Sequence, residues 1–261
     1  MKEILISYLI QILVTIGSMV IFGLLISLFS SLFYSSFGTS SLAVCYITGF
    51  IGTPIHECSH ALMCLIFGHK IEEMKLFQVS SDDGTLGYVV HSYNPKSLYQ
   101  KAGNFFIGVA PILVMSTILY FLARWIMPST TADITALTHS MSMDSFGSIF
   151  GGLWSILKAF FAGALSWRWW VFVLVGIFLA LHMTLSKADI VGSLSGILIV
   201  LIVLLIVNIV LGLIFPGAFS KFNGFMMTAG AYLTSFLLLS LMITMVVALL
   251  AKLISLIFRR K

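Results

Sequence analysis

The chain has 261 residues, 60% of them hydrophobic and 9% charged, with a mean hydropathy of +1.11 and a formal net charge of +5. A soluble globular domain carries about 25% charged residues, so this composition excludes that class and points to a polytopic membrane protein. The basic residues sit at the borders of apolar runs rather than in a stripe, which argues against nucleic acid as a partner, and Cys45, Cys58 and Cys64 crowd into one apolar run with no Cys-x-x-Cys, which argues against a disulfide framework.

The first apolar run, residues 4–29, exceeds the ~20 residues needed to cross the hydrocarbon core. No short core followed by a small-x-small cleavage site occurs there, so it reads as a retained span. A Ser/Gly-rich link, 30–40, leads into a second span over about 43–67, interrupted by Pro54. A proline there predicts a kink or a missing hydrogen bond, and such breaks at membrane depth line cavities. Residues 68–101 are the most polar stretch. Within it, 74–79 and 85–91 read as two strands joined through Asp83-Gly84, a β-hairpin insertion over about 69–101.

A third span covers 102–125, with Gly108 and Pro111 inside it, and a polar loop with Asp133, His139 and Asp144 follows over 127–148. Residues 149–167 are helical in period but carry Lys158, which costs about 2.5–3.5 kcal/mol at a bilayer centre; they read as an interfacial or re-entrant helix. Spans four to six are 169–185, 190–215 and 226 to about 258. The expected fold is therefore an all-α polytopic membrane domain of about six transmembrane helices with one small cytoplasmic hairpin. Six spans put both termini on one side, together with ten of the 14 basic residues: Lys2, Lys70, Lys75, Lys96, Lys101, Lys187, Lys252, Arg259, Arg260 and Lys261. The positive-inside rule then makes that side cytoplasmic, with the bacterial plasma membrane as the expected location.

The chemistry concentrates in the second span, in Thr53-Pro54-Ile55-His56-Glu57-Cys58-Ser59-His60. Positions i and i+4 share a helix face, so His56 and His60 can present both imidazoles to one metal ion. Glu57 lies about 100° further round, placed to act on a water without being a ligand. Two histidines, a carboxylate base and an open position make up a zinc hydrolase site, so Zn2+ is the expected cofactor. The competing reading is a buried polar network tying helices together.

A catalytic zinc takes three protein ligands. His182 and Asp189, between the fourth and fifth spans, are the candidates for the third. Asp189 also reads as part of a capping box with Ser186, and His182 as a donor that orients a ligand. His69 and His91 lie in polar segments and read as solvated or structural; His139 falls on the opposite membrane face. Asn104 is placed either to bind a substrate backbone or oxyanion, or to cap the third span.

These residues resemble the site-2 protease family of integral membrane zinc metalloproteases over roughly residues 54–192. The resemblance rests on His56-Glu57-Cys58-Ser59-His60 followed by Phe67-Gly68, on Gly87-Tyr88-Val89, and on Ala188-Asp189 before Gly192. It implies zinc bound by His56, His60 and Asp189, with Glu57 activating water. It also implies that a strand through Gly87, Tyr88 and Val89 pairs with an unwound substrate. The family has glycine directly after its aspartate, whereas Ile190 and Val191 intervene here.

The expected function is cleavage of peptide bonds within or near the bilayer, in a membrane protein or peptide substrate. Its rivals are a zinc hydrolase or transferase acting on a lipid, and a zinc-binding transporter or scaffold. A transporter would show internal symmetry, and no repeat is seen.

Overall fold

A computed structural model describes residues 1–79, 85–140 and 146–258, the side chains of 138–140, 146–150, 153 and 258 excepted. The chain opens with α1 (Lys2–Ile12), a π-helical turn (Leu13–Gly17) and α2 (Ser18–Ser35), which together make one long apolar rod. Next come α3 (Ser41–Ile66), a hairpin of β1 (Lys70–Lys75) and β2 (Tyr88–Ser92), and α4 (Leu98–Ile126). Two helices, α5 (Pro128–Ser140) and α6 (Phe146–Ala162), precede the short α7 (Trp167–Ala180). The chain ends in α8 (Lys187–Ile214) and the 43-residue α9 (Pro216–Phe258).

Four of these are long and apolar enough to cross a membrane: Lys2–Ser35, α4, α8 and most of α9. A fifth crossing is counted if the pair Trp154–Leu165 and Trp167–Ala180, bent by 113°, is one span. That bend agrees with the re-entrant or interfacial reading of 149–167. Residues 128–140, expected as loop, are helical.

Six separate spans are not what the described residues form. Helix α7 has 14 residues and is about 21 Å long, too short to cross alone. Its direction is read against α4. Gly163 lies beside Thr130, just past the end of α4; Gly176 lies beside Leu119; Gly108 meets Asp189 and Ser193; and Gly196 meets Lys101, Ala102 and Phe105. As the chain ascends from 163 to 196, its neighbours descend steadily from 130 to 101. Helices α7 and α8 therefore run the same way, with a break at 181–186, rather than out and back.

A second consequence concerns the termini. Val14 packs on Gly230, and the Ser18 and Thr234 hydroxyls are 3.3 Å apart, so the first rod and α9 run parallel. Ile4 lies against Gly212 near the α8–α9 turn. The N-terminal residues and the far end of α9 thus sit at opposite ends of the bundle, not at the same end as expected. A buried amide cluster holds this region together: Gln11 and Asn208 exchange hydrogen bonds at 3.1 and 2.9 Å, and Gln11 also donates to Asn223 at 3.1 Å. In an apolar bundle such amides act as interhelical ties.

The hairpin sits where expected, but its strands are displaced outward. Antiparallel pairing runs from Lys70↔Ser92 to Lys75↔Tyr88 with a bulge near Ile71–Glu73, and one more bond, Gln78 N–H to Leu86 C=O, continues it at 2.7 Å. The Asp83-Gly84 turn lies outside the described residues.

Candidate metal centre

Helix α3 carries the motif and runs unbroken through Pro54. At helical spacing His56 and His60 face one way, and their Nε2 atoms stand 3.1 Å apart. Asp189, in the first turn of α8, brings Oδ1 to 3.2 Å from His60 Nε2 and Oδ2 to 3.9 Å from His56 Nε2. Tetrahedral zinc with bonds of about 2.0–2.1 Å separates its ligand atoms by roughly 3.3 Å, so the three residues have the spacing of one ion.

The protons decide what belongs between them. His56 Nδ1 donates to the main-chain carbonyl of His182 at 2.8 Å, and His60 Nδ1 donates to that of Ile107 at 2.7 Å. Both acceptors are carbonyls, so each Nδ1 carries the hydrogen and each neutral ring points an Nε2 lone pair at the other. Two lone pairs and a carboxylate oxygen converging on one point call for a cation. Carbonyl-anchored histidine of this kind is the usual support of a metal ligand. The residues present fit zinc.

The two acceptor carbonyls are available for different reasons. Ile107 lies inside α4, where its carbonyl would normally accept from residue 111. That residue is Pro111, which has no N–H, so the carbonyl is left for His60. His182 lies in the turn just past α7; its N–H donates back to the Leu179 carbonyl at 3.1 Å, while its carbonyl is taken by His56. The sequence contained the first signal, a proline four residues after Ile107 inside an apolar run, but nothing in it pairs that carbonyl with His60.

Glu57 is buried, 6% exposed, and is not one of the clustered ligands. Its side chain is covered by the hairpin: a Cβ on Gly87 would come within 2.9 Å of Glu57 Cγ and of the Lys75 and Leu76 carbonyls. Only glycine lets the strand approach this closely. Gly87 is thus brought to the site. Val89 pairs with Met74 and Tyr88 with Lys75, and the Tyr88 hydroxyl donates to Glu73.

Two other candidates stand apart from the cluster. The His182 ring stands outside the cluster, its Nε2 3.0 Å from both the Tyr34 and the Thr48 hydroxyls. Asn104 is not the cap of α4, which belongs to Ser97; it donates from Nδ2 to Ser195 Oγ at 2.9 Å and ties α4 to α8. Asp189 serves as ligand candidate and cap at once: Oδ2 accepts the Ser186 N–H at 2.7 Å, and its own N–H donates to Ser186 Oγ at 3.1 Å. The side chain of His139 lies outside the described residues.

His69 and His91 form a second pair, with Nδ1 atoms 3.0 Å apart. Only one ring is anchored here: His69 Nε2 donates to the Gln100 carbonyl at 2.7 Å. His91 is then free to donate from Nδ1, and an ordinary N–H···N bond satisfies the contact. Burial, with nearby His69 and His60, pushes the His91 pKa below its usual value.

Residues 49–164 match a protein family described as "Putative zincin peptidase", a match over less than half of the chain. It takes in His56, Glu57, His60, the hairpin and α4, and it ends before Asp189. The chain resembles zinc peptidases. No curated protein and no solved structure matches it. The finer resemblance to site-2 proteases rests on the motifs quoted above.

Proposed function

We propose that this protein is a membrane-embedded zinc metallopeptidase that cleaves peptide bonds within or near the bilayer. The observation that carries the reading is the convergence of His56, His60 and Asp189 on one point, with both histidine Nδ1 atoms fixed by carbonyls, in a bundle of apolar helices. His56, His60 and Asp189 would hold the ion. Zinc bound there supplies a Lewis acid towards a water and a carbonyl oxygen.

Glu57 does the proton work. Its carboxylate takes a proton as water attacks the scissile carbonyl carbon and passes it to the departing amine nitrogen. The Gly87 main chain lies directly over Glu57, which keeps bulk water from that side of the carboxylate. Among the described residues the sheet has only two strands, so the other edge of β2 has no strand partner. Gly87, Tyr88 and Val89 offer that edge to an extended substrate, which aligns its peptide bonds by β-augmentation. Asn104, committed to Ser195, acts by holding α8 and hence Asp189 in place.

A lipid-directed hydrolase is the second reading, favoured by an apolar cavity of about 320 Å3 beside Asp189, lined by Met19, Gly23, Phe105, Val109, Leu185 and Ile190 among others. The test compares wild type with Glu57→Gln for zinc content and for changes in the membrane proteome and lipids. Glu57→Gln is expected to keep zinc and to lose about 10²- to 10⁴-fold in turnover of a peptide substrate. Loss of zinc would make Glu57 a ligand, and a change confined to lipids would favour the second reading.

A further inference from the structure

The carbonyl that fixes His56 sits just past the end of α7, in a turn where the His182 N–H donates to the Leu179 carbonyl at 3.1 Å. The His182 side chain is clamped as well. Its Nε2 is 3.0 Å from both the Tyr34 and Thr48 hydroxyls, these are 3.0 Å from each other, and Thr48 Oγ1 is 3.0 Å from the Val44 carbonyl. One assignment that makes every contact a donor–acceptor pair has His182 Nε2–H donating to both oxygens, Tyr34 donating to Thr48, and Thr48 donating to Val44 C=O. The ring also lies flat on α3, where a Cβ on Gly52 would come within 2.6–2.7 Å of its carbons. It has no room to turn.

We infer that Tyr34 and Thr48 are positioning residues of the metal centre, acting through His182. By clamping the ring they fix the His182 main chain. Its carbonyl then holds the His56 Nδ1–H and so aims the His56 Nε2 lone pair. The His60 side needs no such clamp, since Ile107 lies inside the continuous helix α4. The first rod, which supplies no ligand, thereby sets the geometry of one through Tyr34. The inference rests on His56 being a zinc ligand.

The test uses the full chain in detergent, as wild type, Tyr34→Phe and Thr48→Val. Zinc affinity, the visible spectrum after loading with Co2+, and the thermal midpoint of metal-stripped protein are measured for each. Each variant is expected to bind zinc about tenfold more weakly, in the range usual for partners of metal ligands, with an altered Co2+ spectrum and an unchanged metal-free midpoint. Wild-type zinc affinity and Co2+ spectrum in both variants would overturn the clamp and leave the zinc reading standing. A fall in metal-free stability that accounts for the weaker binding would show a structural role only and also overturn it. Wild type that binds no zinc would remove the metal reading and the clamp together.

Discussion

Asp189 holds one carboxylate oxygen 3.2 Å from His60 Nε2 while the other caps its own helix through the Ser186 N–H. Helix cap and ligand are thus not alternatives for this residue. The capping bond fixes the carboxylate rotamer and turns the remaining oxygen towards the histidines. A carboxylate at a helix N-terminus is also favoured by the helix dipole.

The two roles of Asp189 can be separated by substitution. Asp189→Asn keeps a carbonyl oxygen for the Ser186 N–H but loses the charge, so zinc binding should fall by more than tenfold with little change in stability. Asp189→Ala should lose both, with about 1 kcal/mol of helix stability gone as well. Zinc titration and thermal unfolding of both variants check this; equal zinc affinity in Asp189→Asn and wild type would remove Asp189 from the ligand set.

Pro111 gives effects of opposite sign. In Pro111→Ala the new N–H competes for the Ile107 carbonyl that holds His60. Metal-free stability should rise, because an interior proline costs a helix about 3 kcal/mol. Zinc affinity should fall, by about tenfold. Both moving in the same direction would show that the proline does not serve the metal site.

The parallel packing of the first rod and α9 predicts an odd number of crossings. With α7 and α8 counted as one broken span, the two ends of the described chain lie on opposite faces of the membrane. Among the described residues, Lys2, Lys70, Lys75, Lys96, Lys101 and Lys221 then fall on one side and Arg124, Lys158, Arg168 and Lys252 on the other, with Lys187 at the break between α7 and α8. The bias of basic residues is weaker than six spans would give. Single cysteines at Lys2 and Ile257, with Cys45, Cys58 and Cys64 replaced, should label from opposite sides; labelling from one side would restore an even count.

His91 should titrate below the usual histidine value of about 6.5. A folded-state pKa that is lowered means the folded hairpin disfavours the proton. Its contribution to stability is therefore complete above about pH 6.5 and is lost as the pH falls below that towards the folded pKa. Burial is the main cause, and His69, paired with His91, and His60 on α3 are the titratable neighbours that add to it. Proton NMR of the His91 ring, with exchange of the β1–β2 amides corrected for intrinsic rates, should show protection falling as the pH drops below about 6.5. An ordinary or raised His91 pKa would contradict it.

His56, Glu57 and His60 were legible in the sequence because everything they need is local. Helical periodicity alone puts the two histidines on one face with the glutamate beside it, and an apolar run of that composition alone puts them in a membrane. The hairpin was legible for the same reason, though its strands lie a few residues further out, since pairing is set by how β1 and β2 meet α3 and not by the turn signal. The break at 181–186 reads identically for a helix that turns back and for one that continues; only the neighbours along α4 show that it continues. The sequence favoured Asp189 over His182 as third ligand but left both open. Packing separated them, because the distance from a helix start to a helix more than a hundred residues away is a property of the assembled bundle. The hydroxyls that hold the His182 ring, on helices α2 and α3, left no mark in the sequence, since no local pattern relates residues 34, 48 and 182.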